Sequence, residues 1–141
     1  MAYATLDDLV TLCGDRELIQ LTDRSDPPVN AIDETVTGPA LDWASDLVDS
    51  YVGAAYALPL TQTPQMLRDI ATDLARFRLY KDAAPEEVKG RYDQAIARLK
   101  DISAGRAKIP GVAGVEPDAR SDVVLSTSSD RTFSRDSMAG F

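Results

Sequence analysis

The chain has 141 residues, with 23 acidic and 15 basic side chains, a net charge of −8, one cysteine and no histidine. These numbers allow one domain of ordinary size plus a terminal segment. They exclude an internal disulfide, a cysteine-rich metal site and any histidine-dependent catalytic pair, and they disfavour a duplex-gripping surface, which needs clustered Lys and Arg.

The first predicted element is a short helix from about Leu6 to Leu12, with Thr5 as its cap, Asp7 and Asp8 in the favourable first turn, and Gly14 ending it. Asp15 to Thr22 reads as a second short helix carrying Leu18, Ile19 and Leu21. Asp23 to Asp33 is dense in turn formers and reads as a loop. Asp23, Ser25 and Glu34 take the first, third and twelfth places of a calcium loop. Pro27 and Pro28 stand where a ligand and the required glycine belong, so an acidic capping loop is the better reading.

From Glu34 or Pro39 to Ala55 a long helix is written in Val36, Ala40, Trp43, Leu47, Val48, Tyr51, Val52 and Ala55, with Gly38-Pro39 marking a kink or the true first turn. Trp43 lies on its apolar stripe and reads as core. After the short link Ala57 to Thr63 comes the spine, Pro64 to Asp82, about 28 Å long at helical rise. Its stripe is Met66, Leu67, Ile70, Leu74 and Phe77, with Arg68, Asp69, Thr72, Asp73 and Arg76 filling the opposite side and its margins, and Thr63 is the expected cap. The short link predicts antiparallel packing of these two helices. A third long helix opens at Pro85 and runs through Val88, Tyr92, Ala95, Ile96, Leu99 and Ile102 to Gly105.

The predicted fold is therefore all-α: a small bundle of three long and two short helices over residues 1–105, followed by an extended, partly β tail over 106–141. Gly, Pro, Ser and Thr dominate that tail, which is too polar to fold alone. Two short extended runs, 123–127 and 131–135, are suited to pair as a hairpin or to add to a partner as strands, and a disordered terminus is the alternative reading. Val123, Val124, Leu125, Phe133 and Phe141 are costly to leave in water. With Arg131 and Arg135 as register-setting charges, they form a candidate protein interface.

Charge is unevenly placed. Residues 1–63 hold eleven acidic side chains against Arg16 and Arg24 alone, a balance of −9. No Gly-rich phosphate loop is present, Cys13 lies among apolar neighbours, and no carboxylate pair stands apart from ordinary solvated ones, so neither an enzyme nor a cofactor nor a bound metal is expected. No apolar run approaches the ~18 residues of a membrane span, and the first residues lack the pattern of a signal peptide, so a protein made in the cytoplasm is expected.

An ordered series of segments carries a resemblance. YATLDDLVTLCGDRELIQLTDR at 3–24, AIDE at 31–34, YALPL at 56–60, DLARFRLY at 73–80, APEEVKGRYDQAIARLKDISAGR at 84–106 and RTFSRDSMAGF at 131–141 together resemble the small neck protein of Mu-like phages and prophages. The loop differs from the glycine- and aspartate-rich form of that family in carrying Pro27-Pro28. The resemblance implies a structural head–tail connector in the virion neck, made in the host cytoplasm. It implies a homo-oligomeric ring, expected to be dodecameric, beneath the portal protein and above a downstream neck or tail protein, with double-stranded DNA passing through without sequence-specific binding. On this reading the tail residues contact the portal or a neighbouring protomer, and Asp23, Asp26, Asp33 and Glu34 are candidates for an acidic loop facing the lumen. The readings from other classes are a helical regulatory or nucleic-acid-binding module, which would need a basic helix face that the sequence lacks, and a small-molecule-binding bundle, which would need an apolar cavity.

Overall fold

The computed structural model describes residues 1–114. Five α-helices follow one another: α1 (Leu6–Cys13), α2 (Asp15–Thr22), α3 (Glu34–Val52), α4 (Gln65–Tyr80) and α5 (Glu86–Ser103), with a single 3-10 turn at Lys81–Ala83. No strand occurs among the described residues. The extended runs read at 123–127 and 131–135 lie outside them.

Local chemistry explains the boundaries. Thr5 and Asp8 form a reciprocal capping box, the Thr5 hydroxyl accepting from the Asp8 N–H at 3.4 Å while Asp8 Oδ2 accepts from the Thr5 N–H at 2.8 Å. Gly14, at φ 82°, allows the chain to leave α1 and enter α2 with no intervening loop. Asp33 caps α3 by accepting from the Thr35 N–H at 2.9 Å, and this cap places the start at Glu34. The helix passes through Pro39, which removes one hydrogen bond near its start without ending it. It stops at Val52, three residues before the expected Ala55, and continues as turns to Tyr56. The spine is shorter than read at both ends. Pro64 occupies the N-cap position, its carbonyl accepting from the Leu67 and Arg68 N–H groups, and neither Thr63 nor any other side chain caps it. Pro85 does the same for α5, accepting from Lys89.

α4 touches each of the other four helices and is the axis of the bundle. Leu67, Ile70, Ala71, Leu74 and Ala75 are buried on it. They share one core with Leu9, Leu18, Ala44, Val48, Val52, Leu99 and Ile102. Two stripe assignments are corrected. Phe77 is only partly buried and stacks on Tyr92, with ring centroids 4.0 Å apart, instead of joining the core. Thr72, placed among the polar side and its margins, is buried with its hydroxyl donating to the Arg68 carbonyl at 2.7 Å, so the polar group is satisfied within its own helix. Arg78 and Leu79 in the last turn of α4 lie beside Thr35 and Val36 in the first turn of α3, and Arg76 and Asp73 reach Glu87 and Arg91 in that order, so α4 runs antiparallel to both α3 and α5.

The chain does not leave the body at Gly105. Ile109 is buried, its N–H donating to the Tyr56 hydroxyl at 2.8 Å, and Gln62 Nε2 donates to the Gly111 carbonyl at 2.9 Å. Gly111 sits at φ 76°, with Gln62 only 2.6 Å from where a Cβ would be, so a side chain there would meet both strain and a clash.

Candidate functional site

The four acidic loop residues do not act alike. Asp23 is committed inside the loop, its carboxylate accepting from the Ser25 N–H at 3.1 Å, the Ser25 hydroxyl at 2.7 Å and the Asn30 N–H at 2.7 Å. The Ser25 bonds foremost, with those from the Asn30 and Val29 backbone, hold its pKa below the ordinary aspartate value. Asp33 is committed to capping α3, and its own N–H donates to the buried Thr22 hydroxyl at 3.1 Å, pinning the loop to the end of α2. Asp26 and Glu34 are exposed and take part in no ion pair among the described residues. No cluster of three metal-ligating side chains occurs among the described residues. The remaining candidates, Val123, Val124, Leu125, Arg131, Phe133, Arg135 and Phe141, lie outside the described residues.

Three features escaped the sequence reading. The first is a polar knot joining α2, α4 and α5. Arg76 grips Glu17 with both ends of its fork, at 2.8 Å and 3.1 Å, and the Tyr80 hydroxyl donates to the same carboxylate at 2.9 Å. Arg91 reaches Asp73 at 3.3 Å, while burial raises the Asp73 pKa against the opposing pull of Arg91 and Arg76. Cys13 shares this neighbourhood. Burial first, then the Glu17 charge, pushes its thiol up to about 11, which is the opposite of what a nucleophile requires.

The second is an open groove of about 740 Å³ between the end of α3, the end of α5 and the segment after it. Ala54, Tyr56, Ile102, Ala107, Ile109 and Val112 line it, and Gly114, where the described chain ends, forms part of its wall. The third is a shallow pocket of about 290 Å³ where the first turns of α3 meet the last turn of α4, lined by Arg24, Thr35, Pro39, Arg78, Leu79 and Lys81 among others. Trp43, read as core, is partly buried at the edge of the hydrophobic core and also carries the Arg78 guanidinium 4.8 Å from its ring centroid. A sequence signal existed for Arg76 and Arg78, both on the spine, but their partners lie 59 and 35 residues away and no local spacing reveals them.

No helix among the described residues is long and apolar enough to cross a membrane. Residues 3–126 match the family described as Bacteriophage Mu, Gp36. The chain is 33% identical over 79 residues to the Mu-like prophage FluMu protein gp36 of Haemophilus influenzae, an alignment covering 56% of each chain. It is 30% identical over 138 residues to gene product J of Escherichia phage Mu, covering 96% of each. The matched part thus spans about half the length of the first relative and nearly all of the second.

Proposed function

Because the chain belongs to the bacteriophage Mu Gp36 family, we propose that it is a structural, non-catalytic connector of the phage neck. In this reading copies of the chain form a ring, dodecameric by expectation, under the portal protein. The ring completes the head, joins it to a downstream neck or tail protein, and lets double-stranded DNA pass.

The observation that carries the reading is the match along almost the whole chain to a phage gene product, in a body whose one thiol is held protonated. The acidic balance supports a channel wall that repels phosphates instead of holding them. The local duties of Asp23 and Asp33 leave Asp26 and Glu34 as the wall-facing candidates of the loop. The tail residues Val123, Val124, Leu125, Phe133 and Phe141 are the proposed anchors on the portal or a neighbouring protomer, with Arg131 and Arg135 setting register.

Particle mass and negative-stain imaging of the purified protein, with and without portal, test this directly. Closed rings, alone or on the portal, are the expected result. A protein that stays monomeric and ignores the portal at every concentration overturns it.

A further inference from the structure

The shallow pocket at the junction of α3 and α4 gathers three cations in a chain of net charge −8. Arg78 and Lys81 stand at the C-terminal end of α4, where the helix dipole favours positive charge, so their presence has an ordinary explanation. Arg24 does not. It is one of two basic residues in the first 63 and comes from the stretch between α2 and α3, yet it lines the same pocket. Gathering like charges is unfavourable unless an anion joins them. None of the three forms an ion pair among the described residues. Asp33, at the same end of α3, is occupied by Thr35.

We infer that this pocket receives an acidic side chain from a second copy of the chain and is one half of the contact between neighbouring protomers. The inference rests on the ring reading above and deepens it. Each copy carries a surplus of carboxylates, so the complement of the pocket is present on every other copy. A carboxylate suits the two planar guanidinium forks, which bind it in bidentate fashion. A contact between two different patches of one chain is heterologous, and repetition of such a contact builds a ring when the rotation between copies closes. Without an opposite charge to seat, copies of so acidic a protein would repel one another.

The test uses the full-length protein. Lys81 gives the pocket an amine that a zero-length carbodiimide couples to any carboxylate it touches. Mass spectrometry of rings assembled from mixed light and heavy isotope copies then identifies the acid and the copy it came from. The expected product joins Lys81 of one copy to an Asp or Glu of another. Coupling of Lys81 only within its own copy, or to nothing, in assembled rings overturns the inference.

The second arm is Arg24→Glu combined with Lys81→Glu. Both side chains are exposed, and Arg78 is left on Trp43. The variant should need at least about tenfold more protein for half-assembly, as loss of close interfacial charge pairs predicts. The unaltered protein should assemble less well as salt rises from about 0.05 to about 0.5 M, and the variant should lose that dependence. Unaltered protein that never forms rings sinks the ring reading and this contact with it. Rings that form equally well from both proteins sink the contact alone.

Discussion

The helix α4 holds the bundle together in two different ways. Along one face it presents Leu67, Ile70, Ala71, Leu74 and Ala75, all buried, in a core shared with Ala40, Ala44, Val48 and Val52 of α3 and also with Leu18 of α2 and Leu99 and Ile102 of α5. Toward α2 and α5 it presents Arg76, Tyr80 and Asp73, which are bound to Glu17 and Arg91. The apolar contact is non-directional and depends on area removed from water; the polar one depends on distance and angle. The first should therefore dominate stability, and the second should fix how α2 sits on the bundle.

The largest expected effect lies on the apolar side. Leu74 is fully buried, so Leu74→Ala should destabilise by about 2–5 kcal/mol in chemical denaturation. Phe77→Ala should cost less, about 1–2 kcal/mol, because the ring keeps partial exposure and loses chiefly its stack on Tyr92. If Phe77→Ala proved the more damaging of the two, the division of α4 into these two sides would be wrong.

Next comes the polar side. Arg76→Leu leaves the Glu17 carboxylate with only the Tyr80 hydroxyl and should cost about 1–3 kcal/mol, below the loss for a fully buried pair because Glu17 keeps 24% of its side-chain exposure. Adding Glu17→Leu should recover part of the loss, since no unpaired charge then remains. A double-mutant cycle measures this, and strict additivity would show that the two groups act independently.

The same contrast explains what the sequence made legible. The apolar side announces itself through three- and four-residue spacing, so five helices and most of the core could be read. Phe77 was misjudged because it sits at the stripe's edge, where period alone cannot separate core from a surface stack. Helix ends at Pro64 and Pro85 were displaced by one residue, since proline fits the N-cap as well as the first turn. The Glu17–Arg76–Tyr80 knot and the Arg24–Arg78–Lys81 pocket were invisible because their members come together only after the helices pack. The buried Ile109 was missed for a similar reason: one apolar residue among Gly and Pro has no period, and Tyr56 supplies its partner from 53 residues away.

A smaller and local effect is expected where that segment meets the body. Tyr56→Phe keeps the ring but removes the acceptor for the buried Ile109 N–H, at a cost of about 1 kcal/mol or somewhat more for the orphaned donor. The change should be seen as faster amide exchange across 106–114, with the unfolding midpoint of the helices shifted little. Gly111→Ala should loosen the same segment through its backbone conformation. Exchange that accelerates uniformly through α3 to α5 would instead make the segment part of the core.

The smallest effect expected near neutral pH belongs to Cys13, and its sign follows from burial. The folded thiol titrates near 11 against an ordinary value of 9.0, so the folded state holds the proton more tightly than the unfolded chain does. That contribution to stability is fully present below about pH 9 and is lost as pH rises toward 11. Tyr3 and Tyr80, also raised from 10.0, chiefly by burial and then by Asp49 and Glu17 respectively, extend the loss to higher pH. The unfolding midpoint should therefore be insensitive to these groups up to about pH 9 and fall beyond it, and Cys13→Ala should flatten the first part of that fall. At about pH 8 the raised pKa keeps the folded thiol protonated, so a thiol-specific disulfide reagent should react far more slowly with the folded protein than with the denatured chain. Equal rates for the two states at that pH would mean that the thiol is neither shielded nor shifted, and the crowding of Cys13 against Glu17 and Asp73 would have to be abandoned.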